Sequence, residues 1–165
     1  MSFADSFLPE FDHEMKTTRA ILERVPFDKA LFKPHPKSTA LGPLASHVAN
    51  LVGFGDRIVN ADEIDFAPGG QRRLPREYEN TADLLAAFDE NVSKTRGAIQ
   101  SLKNEQLGTP WTLRMGEHKI FTQPRASVLR AFMMNHLIHH RGQLSVYLRL
   151  NDVPLPSLYG PTADT

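Results

Sequence analysis

Two histidines one helical turn apart, His136 and His140, are where chemistry first enters this 165-residue sequence. They lie in the run Asn135-His136-Leu137-Ile138-His139-His140-Arg141-Gly142-Gln143-Leu144. On a helix, residues four apart aim their side chains the same way, so the pair could hold two corners of a metal site on a rigid element. Seven histidines in the chain give roughly 0.3 such pairs by chance, so spacing alone does not decide the matter. Their surroundings add to it. Around His136 the helical wheel gathers Leu129, Phe132, Met133, Leu144 and Tyr147 into an apolar stripe. Imidazoles set in a buried face need polar partners, and a metal ion is one such partner.

A third histidine has the same setting. Leu44, His47, Leu51, Phe54 and Ile58 share one helical face, with His47 at its centre. Two facing helices could bring His47, His136 and His140 together. Three neutral ligands with an open fourth position are the layout of a catalytic site rather than a closed structural one. A divalent cation held that way would acidify a bound water or thiol and polarise a carbonyl oxygen.

The neighbouring residues leave alternatives open. His139 lies about 60° around the wheel from His136, and an i,i+3 pair of the two could also ligate metal. His140 is closer to the stripe centre, which leaves His139 to orient a substrate, support a ligand or face another helix. Gln143 falls within the stripe and could donate to a ligand or a bound substrate, or bridge two helices. All three stripe histidines could instead be hydrogen-bonded core residues. Leu137 stands where the His-Glu-x-x-His motif has glutamate, which argues against a peptidase with a built-in general base. Gly142, mid-helix at a cost of about 1 kcal/mol relative to alanine, suggests a close helix–helix approach. Arg141 points away from the stripe and reads as a solvated or interface charge. His13, His35 and His118 fall off the stripes or in loops and read as surface residues. No Ser/His/Asp grouping, glycine-rich phosphate loop or carboxylate pair can be assembled, and no general base can be named.

Four helical segments must position these residues. The first spans about Phe7 to Val25, with Phe11, Met15, Thr18, Leu22 and Val25 on its core face. A turn near Asp28 to Leu31 leads into Lys33-Pro34-His35-Pro36-Lys37, where two prolines force extended chain. The second helix opens between Thr39 and Pro43 and runs to about Ala61. Asp62 to Asn80, with Pro68-Gly69-Gly70 and Pro75, reads as a long irregular connection. Asn80 is a good N-cap for the third helix, whose core face is Leu84, Phe88, Val92, Thr95, Ile99 and Leu102. Trp111 to Met115 and His118 to Thr122 flank Gly116-Glu117 as a short hairpin would. The fourth helix runs from near Pro124 to about Leu150, with Asn151 as its C′ residue. Four amphipathic segments without strand-rich regions give an all-α class, a four-helix bundle in a single domain over 1–165.

Composition narrows the function classes. Lysine plus arginine equals aspartate plus glutamate at 19 each, and Arg72-Arg73 is too short to make a patch, so no nucleic-acid partner is expected. The chain has no cysteine, which removes disulfides, thiolate catalysis by the protein itself and cysteine-ligated zinc. Met1-Ser2-Phe3-Ala4-Asp5 lacks the basic and apolar regions of a signal peptide, and no apolar run approaches membrane-spanning length. A soluble cytoplasmic protein with no membrane partner is the expectation.

Several motifs together resemble the DinB/YfiT-like metalloenzyme family. They are Pro34-His35-Pro36-Lys37-Ser38 followed by Leu41-Gly42-Pro43-Leu44-Ala45-Ser46-His47, then His136 to Leu144, then Tyr147-Leu148-Arg149-Leu150-Asn151-Asp152-Val153-Pro154 with Tyr159-Gly160-Pro161. The resemblance implies an up-down-down-up bundle whose long connection is Asp62 to Asn80. It implies a divalent metal, nickel or zinc, on His47, His136 and His140, and a homodimer formed through bundle helices. Characterised relatives include transferases and isomerases that use bacillithiol, mycothiol or glutathione. The function expected on that basis is metal-activated addition or transfer of a low-molecular-weight thiol to a small electrophile. The alternatives are a metal-dependent hydrolase and a non-catalytic metal-binding bundle. The resemblance carries over no thiol-binding residues, so His139 and Gln143 stand as cofactor-binding candidates from position alone.

Overall fold

The computed structural model describes residues 2–165, most of them in helices. Helix α1, Phe3–Leu22, begins earlier than the apolar periodicity indicated because a capping box fixes its first turn. The Ser2 hydroxyl accepts from the Asp5 N–H at 3.1 Å, and the Asp5 carboxylate accepts from the Ser2 N–H at 2.7 Å. Phe7, Phe11, Met15, Ile21 and Leu22 are buried on its inner face.

The second expected helix is two helices, α2 (Leu41–Leu51) and α3 (Gly53–Asn60), with a break at Val52. The cause lies on α4, Thr81–Ser101, capped by Asn80 as expected. The Thr95 hydroxyl donates to the Val52 carbonyl at 2.7 Å and accepts from the Asp56 N–H at 3.1 Å. It thus replaces the backbone bond that would have joined those two residues, an inserted side chain being a recognised source of helix kinks. Asn91 donates to the Ala49 carbonyl at 3.1 Å, one turn earlier. So close an approach needs glycine: a Cβ on Gly55 would lie 2.2 Å from Thr95 Cγ2, and one on Gly53 would lie 2.8 Å from Asn91 Oδ1.

A small sheet corrects the all-α expectation. Strand β1 (Glu63–Asp65) pairs in parallel with β2 (Pro110–Met115), which pairs antiparallel with β3 (His118–Pro124). The hairpin was legible from its turn. Strand β1 was not, because three residues within the Asp62 to Asn80 connection carry no periodicity of their own. Asp65 anchors the join by accepting from the N–H groups of Ala67 and Gly116, each at 2.8 Å.

The last helical run comprises α5 (Arg125–Val128), a π-helical stretch over Leu129–Asn135, and α6 (His136–Arg149). Arg125, 4% exposed, donates to the carbonyls of Ile58, Val59 and Ala61 and pairs with Asp62. One guanidinium therefore satisfies the orphan acceptors at the C-terminus of α3. Helix α6 ends in a Schellman motif, with Val153 N–H bonding the Leu148 carbonyl and Asp152 N–H bonding the Arg149 carbonyl, both at 3.1 Å. The left-handed residue is Asp152 (φ 59°), not Asn151, whose side chain instead donates to the Tyr147 carbonyl at 2.8 Å.

Cross-helix bonds give the relative directions. Arg19–Asp89 and Arg96–Asp12 run antiparallel between α1 and α4. Arg130–Glu10 and Arg141–Glu14 run parallel between the last helical run and α1. Ala49–Asn91 and Val52–Thr95 run parallel between α2 and α4. Among the described residues no helix is long and apolar enough to cross a membrane.

Candidate metal centre

Helix α2 supplies His47, and the first two turns of α6 supply His136 and His140. Ring centroids stand 4.6 Å apart for His47 and His140, 5.3 Å for His47 and His136, and 4.7 Å for His136 and His140. One ring nitrogen of each lies within 4.8 Å of the others. The π-helical stretch ends where His136 begins, and such wide turns recur beside functional sites.

A hydrogen bond from outside the triad sets the tautomer of His140. Gln143 Oε1 can only accept, so the 2.7 Å contact with His140 Nδ1 puts the proton on that nitrogen. The Nε2 atoms of His136 and His140 face each other across 2.9 Å. That contact holds either the Nε2–H of a neutral His136 donating to His140 or, with His136 in its other tautomer, a cation between the two atoms.

An imidazolium is disfavoured there. Burial first, then the neighbouring His140 and His136, push His47 down to about 4. Burial also lowers His136 and His140, the former further through His140 and the latter through His139. All three rings are therefore neutral at pH 7, the form in which imidazole ligates a metal. With metal–nitrogen bonds of about 2.0–2.1 Å, both facing nitrogens can reach one ion. The donor set fits a divalent cation.

The remaining sequence candidates fall elsewhere. His139 is exposed, its ring 5.0 Å from His140, and it lines neither of the cavities beside the triad. Gln143 holds His140, which is a supporting role its position on the stripe had left open. Gly142 is corrected: nothing lies within 4 Å of where its Cβ would be, so no close helix approach explains it. Arg141 is corrected as well, being only 2% exposed and paired with Glu14 at 2.6 Å. His13, His35 and His118 are exposed, as expected.

Two cavities open beside the triad. One of about 490 Å³ lies on the His140 side, lined by Ser38, Thr39, Ser46, Gln143 and Tyr147 among others. The other, about 690 Å³, lies on the His136 side beneath the segment between β1 and α4. Both include His47, Pro75 and Arg76 in their walls. From the sequence that segment reads only as a connection, and no periodic signal places Phe66, Arg72, Arg73 and Arg76 in one cavity with His47 and His136.

Residues 10–144 match the family model described as DinB superfamily. The chain belongs to that superfamily. The DinB match contains all three histidines and Gln143. YrdA of Bacillus subtilis (strain 168) is 26% identical over 161 residues, which is 97% of this chain and 90% of YrdA. A DinB-like protein from Bacillus cereus ATCC 10987 superposes with a TM-score of 0.70 at 18% identity, covering 96% of this chain and 98% of that one. A second DinB-like protein, YjoA from Bacillus subtilis, gives 0.65 at 20% identity over 92% and 96% of the two chains. At these identities the solved structures speak for the DinB fold alone.

Proposed function

We propose that this DinB-superfamily chain is a divalent-metal-dependent enzyme with His47, His136 and His140 as ligands, acting on a small molecule by thiol addition or S-transfer to an electrophile. The observation that carries the metal reading is the pair of facing Nε2 atoms 2.9 Å apart on neutral rings. Nickel or zinc bound there would lower the pKa of a coordinated low-molecular-weight thiol, so that thiolate is present at neutral pH. The chain's own residues do the rest. Gln143 holds the His140 ring in the ligating tautomer. The two cavities give space for two reactants on either side of His47. The thiol reading rests further on the family resemblance and on the lack of any cysteine in the chain, which leaves a sulfur nucleophile to come from outside.

We also infer an up-down-down-up bundle from the pair directions, with the chain between α3 and α4 as the long crossover, and a homodimer. Support for the dimer is the outer face of α6, where Val146 and Leu150 are each more than half exposed beside the open Gly142.

Metal content of untagged protein, purified without added metal, tests the ligand set. Near one equivalent per chain in wild type, lost in His47→Ala and His140→Ala, is expected. No uptake even after reconstitution with nickel or zinc would overturn it. With metal in place, turnover of electrophiles only when a thiol is added supports transfer, whereas turnover without thiol points to hydrolysis.

A further inference from the structure

The larger cavity has a charge pattern unlike the rest of the chain. Although the whole sequence is formally neutral, Arg57, Arg72, Arg73, Arg76 and Lys94 line this one cavity against only Asp56 and Asp65. Both carboxylates are already engaged, Asp65 by the Ala67 and Gly116 N–H groups and Asp56 by Asn60 Nδ2 at 2.8 Å. Lys94 is held by Glu90. Among the described residues none of the four arginines takes part in an ion pair. They come from α3 and from the segment after β1, so separate stretches of chain converge on a common rim. This corrects the expectation that Arg72-Arg73 was too short to make a patch.

Beneath the rim the wall is aromatic. Phe54 meets Phe66 edge-on at 5.7 Å and Phe132 at 5.4 Å, and Phe132 lies 5.9 Å from the His136 ring. A path of apolar rings therefore runs from the cationic mouth to the histidine triad. Guanidinium groups without an ion-pair partner at a cavity mouth, Arg76 among them although it lies over the Tyr78 ring, raise the local concentration of anions and bind planar oxyanions through two parallel hydrogen bonds. A concave volume of about 690 Å³ suits a small molecule better than a polymer backbone tracking a surface.

We propose that the cavity on the His136 side binds a small organic molecule with two or more oxyanion groups, carboxylate or phosphate, joined by an apolar body. The oxyanions sit among Arg57, Arg72, Arg73 and Arg76, and the apolar body lies along Phe54, Phe66 and Phe132. That this molecule is a reactant rests on the metal-enzyme reading; that it binds does not.

The test uses 2,6-naphthalenedicarboxylate and its neutral diamide, titrated by calorimetry into chelator-treated, metal-free full-length protein. The dicarboxylate is expected to bind, with the diamide at least about tenfold weaker, as loss of charge-assisted hydrogen bonds dictates. Arg73→Gln/Arg76→Gln and, separately, Arg57→Gln/Arg72→Gln are expected to weaken the dicarboxylate by at least about tenfold. These side chains are exposed, so both variants are expected to melt with wild type. Raising salt from about 50 to about 500 mM should weaken binding in wild type more than in either variant. Affinities within twofold across acid, amide and both arginine variants would overturn the proposal, as would tighter binding of a short single-stranded oligonucleotide. Metal uptake of each arginine variant is measured alongside and is expected to equal wild type. Failure of metal uptake in every protein would sink the metal reading and leave the binding result intact.

Discussion

Adjacent residues of α6, His140 and Arg141, anchor two polar clusters on neighbouring faces of the helix, one toward α2 and one toward α1, and the clusters manage burial differently. Arg141 donates to the Glu14 carboxylate at 2.6 Å, to the Glu14 carbonyl and the Thr18 hydroxyl at 3.2 Å, and to the Tyr159 hydroxyl. Tyr159 donates onward to Glu14 at 2.9 Å. Opposite charges meet, donors find acceptors, and the C-terminal segment is fastened to α1. On the other face, neutral His140 and His136 bring their Nε2 atoms together at 2.9 Å, with the outer N–H of His140 held by Gln143. A cluster that satisfies itself has no use for a ligand. Three neutral imidazoles whose ring nitrogens converge within 4.8 Å of one another could take up a cation.

The largest expected effect separates the two. Arg141→Met leaves the Glu14 carboxylate buried without its cation and should cost about 3–5 kcal/mol in urea denaturation. The double change Glu14→Leu/Arg141→Met should recover much of that loss, because no lone charge remains. Metal per folded chain should match wild type in both. Metal lost in parallel with stability would show that the clusters are one unit and break the comparison.

Next in size is Gln143→Leu, which removes the acceptor that fixes the His140 tautomer. Supporting contacts of this kind are worth about 10–100-fold in metal affinity. Competition with a chelator reads that loss, and denaturation of the metal-free protein should change little. An unaltered affinity would mean that His140 does not need Gln143 to hold its ring.

How much of this was legible in the sequence follows from what a helical wheel can register. A wheel ranks residues by distance from one apolar stripe, so it found His47, His136 and His140, which the fold brings together. The same operation sent Arg141 to the surface by its charge, although Leu137, Leu144 and Leu148, all fully buried, share its face at i−4, i+3 and i+7. Only the presence of Glu14 opposite makes that burial tolerable, and the pairing spans most of the chain length. The break at Val52 was hidden for a similar reason: the apolar face of α2 and α3 is continuous, and the group that interrupts the backbone is a threonine on another helix. The hairpin and the Asn80 cap were visible because their signals are local. The arginine rim, drawn from α3 and a segment without periodicity, left no local signal at all.

A smaller effect comes from pH. In metal-free protein His47 is held at about 4 against an ordinary value of 6.5. Between those values the unfolded chain binds more protons than the folded one, so stability rises with pH across this window. The contribution is present in full above about pH 6.5 and is lost as pH falls toward 4. At about 1.4 kcal/mol per unit the ceiling is about 3 kcal/mol, and partial hydration from the two cavities brings the expected loss to about 1–2 kcal/mol. Urea titrations of wild type and His47→Asn at pH 7.5 and 5 measure it. A slope unchanged by the substitution would mean that His47 is not the group responsible.

The smallest expected effect, Tyr159→Phe, asks how closed the second cluster is. Burial first and then Glu14 raise the pKa of this phenol, so it stays a donor at neutral pH. Its removal deletes the hydroxyl that Arg141 and Glu14 share but leaves their direct 2.6 Å pair intact. Much of Tyr159 is exposed, at 67%, so water can replace the lost hydroxyl. The cost should therefore be about 1 kcal/mol, the net worth of an ordinary hydrogen bond and well below that of Arg141→Met. Faster amide exchange should be confined to the C-terminal segment, with metal affinity unmoved. If Tyr159→Phe instead cost as much as Arg141→Met, the charge pair would depend on the tyrosine to exclude water, and the cluster would be a three-residue unit closed by the C-terminal segment.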